Sequence, residues 1–272
     1  MSAPAGPRAP QQSAHDPRSP AAPSPNGRRA SDRRPPALDI PDREARDPHC
    51  LSAAAADELL VGAPWRRFAV LGDGMAEGLG DAVPGYQDAG WADRVAAALA
   101  RRRLARGDLA YRNVARSELR TAEIRATQLD PVLSFRPDLA LVVAGSNDIL
   151  RGDFERCDDV LADYDAIVTA LQQAGADVIT ATIFDVTRSS RVPEASRPAL
   201  HRRLDHLAGH IRLVARARRT VHLDLAGHPA ASEPDLYSAD LRFVTRRGHA
   251  IAAAALVRRL GRHLGNPDRA GR

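Results

Sequence analysis

The chain has 272 residues, 44% hydrophobic and only 4% aromatic, with 39 Lys+Arg against 34 Asp+Glu and a net charge of +5. That length allows one domain of roughly 200 residues with sequence to spare, and its core must come mostly from Ala, Val, Leu and Ile. Every basic residue is arginine, scattered or in short pairs without interleaved aromatics, so the charge reads as solvated helix faces and no nucleic-acid partner is expected. Cys50 and Cys157 are the two cysteines, and they make neither a disulfide framework nor a metal-ligand spacing. No run reaches the roughly 18 apolar residues of a membrane span. No continuous apolar stretch marks a secretory signal, so a cytoplasmic location without a membrane partner is expected.

Residues 1–50 carry eleven of the chain's 20 prolines, mixed with Ala, Ser, Arg and Asp. Such a composition buries too little apolar surface to offset the entropy of ordering, and it is read as a disordered tail. Residues 51–66 hold a short lead-in helix over LSAAAADELLVG. From Arg67 apolar runs alternate with amphipathic stretches. FAVL (68–71) is a strand, 90–103 a helix, and 109–113 a second strand. Residues 121–135 form a helix interrupted near Pro131, and LALVV (139–143) is a strand buried on both faces. Then follow a helix over 154–174, the strand DVITAT (177–182), a helix over 198–217, the strand TVHLDL (220–225) and a closing helix over 246–263. Residues 265–272 are read as a second disordered tail. Strands of four to six apolar residues separated by helices imply βαβ units and a five-stranded parallel sheet in a three-layer α/β/α sandwich. Ligand sites in such sheets lie at the carboxyl ends of the strands.

Those ends carry polar turns. The first strand runs into Leu71-Gly72-Asp73-Gly74-Met75-Ala76-Glu77-Gly78, and the third into Gly145-Ser146-Asn147-Asp148. After the second strand comes Asn113 through Thr121, and ahead of the last helix Asp240-Leu241-Arg242-Phe243, then Gly248-His249. In this order the blocks resemble those of the GDSL/SGNH hydrolases, over about residues 67–263. The resemblance implies the flavodoxin-like SGNH-hydrolase fold for 67–264. It also implies a serine nucleophile in the first block, activated by a histidine three residues after an aspartate. The oxyanion would be held by the backbone N–H of the nucleophile, a glycine N–H in the second block and an asparagine amide in the third.

Mapped onto this chain, the nucleophile position is Gly74, the base position Phe243 and the second-block glycine Glu118, while Asn147 and Asp240 are kept. Gly74 cannot carry an acyl group. Phe243 has no titratable nitrogen. A carboxylate at Glu118 would oppose negative charge in an oxyanion hole. No catalytic residue set is therefore intact, and the chain is expected to be a pseudo-esterase. Its former cleft would bind a small molecule or ester-like ligand through Asp73, Gly74, Glu118, Ser146, Asn147, Asp240 and Phe243. Two alternatives stay open: chemistry that uses Glu118 or Asp240 as acid or base, or an ordinary esterase whose serine and histidine lie elsewhere.

Several carboxylates, Asp73, Glu118, Asp148 and Asp240, are expected near the cleft, with Asp73 and Asp148 read as holders of their turns. His249 is read as structural. His201, His206 and His210 share a helix without a carboxylate to complete a ligand set, so they are read as a solvated face and no metal or other cofactor is expected. The loop 184–197 borders the pocket on this reading, and its Arg188 and Arg191 would favour an anion.

Overall fold

The computed structural model describes residues 35–103, 108–150 and 158–265. Five strands, β1 (Arg67–Gly72), β2 (Ala110–Asn113), β3 (Leu139–Val143), β4 (Asp177–Ala181) and β5 (Val221–Leu223), form one sheet in the order β2-β1-β3-β4-β5. Every pairing is parallel, with Phe68 opposite Leu139 on one side of β1 and Tyr111 on the other. Alternate strand residues feed two cores. Phe68, Val70, Leu139, Leu141 and Ile179 face α2 (Ala53–Leu59), α4 (Trp91–Arg103) and α8 (Arg246–Leu264). Ala69, Leu71, Ala140, Val142 and Val178 face α5 (Thr121–Phe135), α6 (Asp158–Gln173) and α7 (Arg197–Arg218). The expected three-layer sandwich is present. Its direction of winding reverses between β1 and β3, where doubly wound sheets open a crevice at their carboxyl edge.

Two expectations about elements need correction. α5 runs unbroken through Pro131, although proline removes one helical hydrogen bond. Ile124, Val132 and Phe135, on both sides of it, are fully buried against the sheet and hold the helix through the defect. The disordered-tail reading also fails for residues 41–50, while 1–34 and 266–272 lie outside the described residues. Asp42–Arg46 forms a helical turn, α1, and Glu44, Asp47 and Cys50 are buried.

This N-terminal strap is held by charge rather than by apolar area, which is why composition hides it. Glu44 pairs with Arg94 of α4 and accepts the Gln87 N–H at 2.9 Å. Asp47 takes Arg247 Nε of α8 and the Tyr86 hydroxyl, each at 2.7 Å. Arg247 also donates to Glu233 and Asp235. Burial alone would raise the Asp47 pKa, but the hydrogen bonds from Tyr86 and Arg247 outweigh it and hold the carboxyl below its usual value. Breaking a buried pair leaves a charge without its partner, at about 3 kcal/mol or more. Arg247→Met, which strands Asp47, should therefore lower unfolding stability by about 3 kcal/mol in urea. A loss below about 1 kcal/mol would mean the strap contributes little.

Candidate ligand cavity at the first and third strand ends

The end of β1 is fixed before any functional group is placed. Gly72, at φ +149°, sits so close to β3 that a Cβ would lie 2.1 Å from the Val143 carbonyl oxygen. Gln128 of α5 clamps the same residue from the other side, donating to its carbonyl at 2.9 Å and accepting its N–H at 2.8 Å. The chain then turns at Asp73, whose carboxylate caps the one-turn helix α3 (Gly74–Glu77) by accepting the Met75 N–H at 3.3 Å. Asp73 is fully buried and also accepts the Ser146 hydroxyl, which ties the β1 turn to the β3 turn. Burial pushes its pKa up to about 6, against the pull of those hydrogen bonds.

Above this junction lies a cavity of about 220 Å³ lined by Gly74, Glu118, Ser146, Asn147 and Phe243. Much of the remaining wall is apolar: Met75, Ile149, Ile183, Phe184, Leu200 and Leu204 are among its members. Met75 belongs to the first polar turn, whereas Ile149, Ile183, Leu200 and Leu204 stand outside the polar blocks and reach the site because the loops after β3 and β4 and the start of α7 meet there. Phe184 and Val186 place the beginning of the 184–197 loop on the wall, as its position after β4 suggests.

The decisive contact is between positions 74 and 243. A Cβ on Gly74 would lie 2.5 Å from Phe243 Cε1 and 3.3 Å from Cδ1, so the ring stands where a side chain at position 74 would go. The 237–244 loop holds the ring there. Tyr237 bridges Val244, Ser238 donates its N–H to the Phe243 carbonyl at 2.9 Å, and the Ser238 hydroxyl accepts the Phe243 N–H at 3.1 Å.

The other expected site residues fall differently. Asn147 Nδ2 donates to the Leu119 carbonyl at 2.9 Å, which leaves its second amide hydrogen for the cavity. Glu118 has φ +67°, a conformation natural to glycine and costing another residue about 1–2 kcal/mol. Its backbone therefore keeps the shape that the family's glycine would take. Its carboxylate is 75% exposed and meets Arg242 at 3.4 Å across the cavity mouth. Asp240 is exposed, outside the lining, and bonded to Ser238 Oγ and the Arg242 N–H. The Ser238 bond, then the Arg242 N–H, hold its pKa below the usual carboxylate value.

The expected convergence of carboxylates does not occur, because each has its own partner. Asp73 lies beneath the floor. Asp148 accepts the Thr121 N–H and hydroxyl at the start of α5, at 2.9 and 2.8 Å. The anion reading of Arg188 and Arg191 fails for a similar reason. Arg191 donates to the carbonyls of Pro234, Tyr237, Ser238 and Ala239, and Arg188 to that of His228; neither lines the cavity.

His249 is no substitute base. It is fully buried, its Nε2–H donates to the Leu79 carbonyl at 2.9 Å and its Nδ1 accepts from the Trp91 N–H at 3.4 Å. Burial depresses its pKa to about 3, so it stays neutral.

A sequence profile of the GDSL-like lipase/acylhydrolase family matches residues 70–251, spanning all four blocks. The chain belongs to this family. Solved relatives share its fold. The acetylxylan esterase from Geobacillus stearothermophilus is 20% identical with a TM-score of 0.53, over 72% of this chain and 94% of its own. The lipase/acylhydrolase from Enterococcus faecalis is 18% identical with a TM-score of 0.55, over 73% and 96%. An α/β hydrolase from the metagenome of Lake Arreo is 18% identical with a TM-score of 0.57, over 72% and 95%. No curated protein sequence matches the chain. Among the described residues, no helix is long and apolar enough to cross a membrane.

Two outcomes test this geometry. Gly74→Ser alone should destabilise the protein by about 1–3 kcal/mol through overpacking against Phe243. In a Phe243→Ala background the same change should cost almost nothing, and equal costs in both backgrounds would remove the contact. The second outcome is read in pH. Between about 6 and 4 the unfolded chain protonates its histidine and the fold does not, so His249 makes stability fall with acid. Asp73 acts oppositely, because in that window the fold holds a proton that the unfolded chain has lost. Asp73→Asn removes the offset. The stability difference between variant and parent should then move against the variant by roughly 1.4 kcal/mol per unit of acidification from about pH 6 to 4 in urea titrations.

Proposed function

We propose that this member of the family does not run serine-ester chemistry and instead binds an apolar small molecule in the cavity between the ends of β1 and β3. The observation that carries the reading is the Phe243 ring in the space beside Gly74. A hydrolase of this type needs a hydroxyl at the first position and an imidazole at the second, within hydrogen-bond reach. Here both groups are absent, and the ring that replaces the imidazole also fills the nucleophile's place. The apolar wall suits a hydrocarbon ligand. The N–H groups of Gly74 and Glu118 and the Asn147 amide suit a carbonyl or other acceptor at its polar end. A carboxylate-based reaction has less support, since Glu118 points into solvent and Asp240 is tied into its own loop.

The test compares the natural protein with the triple variant Gly74→Ser, Phe243→His, Glu118→Gly on short and medium p-nitrophenyl esters, alongside labelling by a serine-directed fluorophosphonate. The natural protein should neither label nor turn over ester in an inhibitor-sensitive way, and the variant should do both. Labelling of the natural protein would overturn the reading, because it would reveal an activated serine elsewhere.

A further inference from the structure

We propose that the ligand of the Gly74 cavity carries a carboxamide, held at its carbonyl by the Asn147 amide and at its N–H by the Ser146 hydroxyl. This rests on the reading of that cavity as a small-molecule site, and it names the polar group that the site selects.

The hydrogen-bonding side chains of the lining are those of Glu118, Ser146, Asn147, Tyr237 and Arg242. Glu118 and Arg242 meet each other at the mouth, and the Tyr237 hydroxyl donates to the Ala231 carbonyl at 3.0 Å. Ser146 and Asn147, neighbours in the turn after β3, are left to face a ligand.

These two present opposite hydrogen-bonding senses. The Leu119 carbonyl can only accept, so the Asn147 amide meets it through nitrogen, at 2.9 Å, and the second hydrogen on that nitrogen is a donor. A serine hydroxyl is ordinarily indifferent, because its proton rotates to suit its partner. Here the proton is committed. Ser146 Oγ lies 2.5 Å from Asp73 Oδ2, and a carboxylate only accepts. Asp73 is fully buried, with the Met75 N–H on its other oxygen at 3.3 Å. Burial lifts its pKa to about 6, so it is ionised at pH 8. The serine oxygen therefore turns lone pairs and no proton toward the cavity, and among the described residues no other group donates to it. Asp73 is thus a positioning residue, acting on the ligand through Ser146.

A carboxamide matches this corner, with an acceptor oxygen and a donor nitrogen on one carbon. An ester of the same shape keeps the carbonyl but places a second acceptor where the N–H would be. Lone pairs then face lone pairs, and neither side is satisfied. A site built around a ligand N–H rejects the analogue that lacks it. Charged groups fit less well: an ammonium has no acceptor for Asn147, and a carboxylate has no donor for Ser146.

The experiment is a ligand-observed NMR titration of the full chain at pH 8 with N-methylpentanamide, methyl pentanoate and N,N-dimethylpentanamide. All three carry the same carbonyl and chain, and only the first has an N–H. N-methylpentanamide should bind about tenfold more tightly than either of the others. Ser146→Ala removes the acceptor and should lower the amide-to-ester affinity ratio about tenfold. Asp73→Asn changes nothing in the cavity lining but puts an amide nitrogen in the place of Oδ2, while the Met75 N–H keeps the amide oxygen. That nitrogen donates to Ser146 and releases the hydroxyl proton toward the cavity, so the ratio should fall at least as far. Folding of each variant is checked by circular dichroism. An ester bound by the parent as tightly as the amide, or a ratio unchanged in the folded variants, would overturn this proposal alone. No binding of any probe would overturn the reading of the cavity itself, and this proposal with it.

Discussion

The approach of Gly72 to Val143 is the constraint from which the upper face of the sheet is built. Because no side chain fits at position 72, β1 and β3 reach their ends in contact, and the Gln128 amide locks that junction from α5. The turns that follow must then rise side by side, and the buried Asp73 with Ser146 ties them together. A buried, unpaired carboxylate is costly. Asp73 is tolerable because it is hydrogen-bonded and because its raised pKa lets it take up a proton readily. The cavity is thus placed by backbone packing and one polar tie, and its contents can vary without disturbing either.

What varies in this chain is the upper wall. The 237–244 loop carries Phe243 to the cavity, and four carbonyl contacts from Arg191 keep the neighbouring backbone in place. Two non-glycine residues with left-handed backbone, Glu118 and Leu241, also line the site. Strained conformations of this kind persist where the surrounding structure over-determines them and are common at ligand clamps. The Glu118–Arg242 pair joins the two loops at the mouth, but it is well exposed and solvent-screened, so its energetic weight is small.

The sheet was legible because its strands are short, unbroken apolar runs, and the cavity's polar corner because Gly-Asp and Gly-Ser-Asn-Asp turns mark strand ends. The strap was hidden because its burial depends on Glu44 and Asp47 meeting arginines about 50 and 200 residues away, and proline-rich composition carries no trace of such pairs. The charge of Glu118 suggests a carboxylate in the cleft, whereas its left-handed backbone goes with a side chain that is mostly exposed. The Asp185–His201 pair joins a loop to a helix, so spacing along the helix carries no trace of it. In each case the missing information is a long-range contact or a local φ, neither of which residue type specifies.

The Phe243–Gly74 contact also constrains how such a sequence can change over evolutionary time. A serine introduced at position 74 meets the aromatic ring, and a histidine introduced at position 243 meets a glycine that gives it nothing to deprotonate. Neither single step supplies a serine–histidine pair, and the first carries the cost of overpacking against the ring. The two positions are therefore coupled: a hydroxyl at 74 and an imidazole at 243 can enter this scaffold only together, because each needs the other residue changed before it has room or a partner.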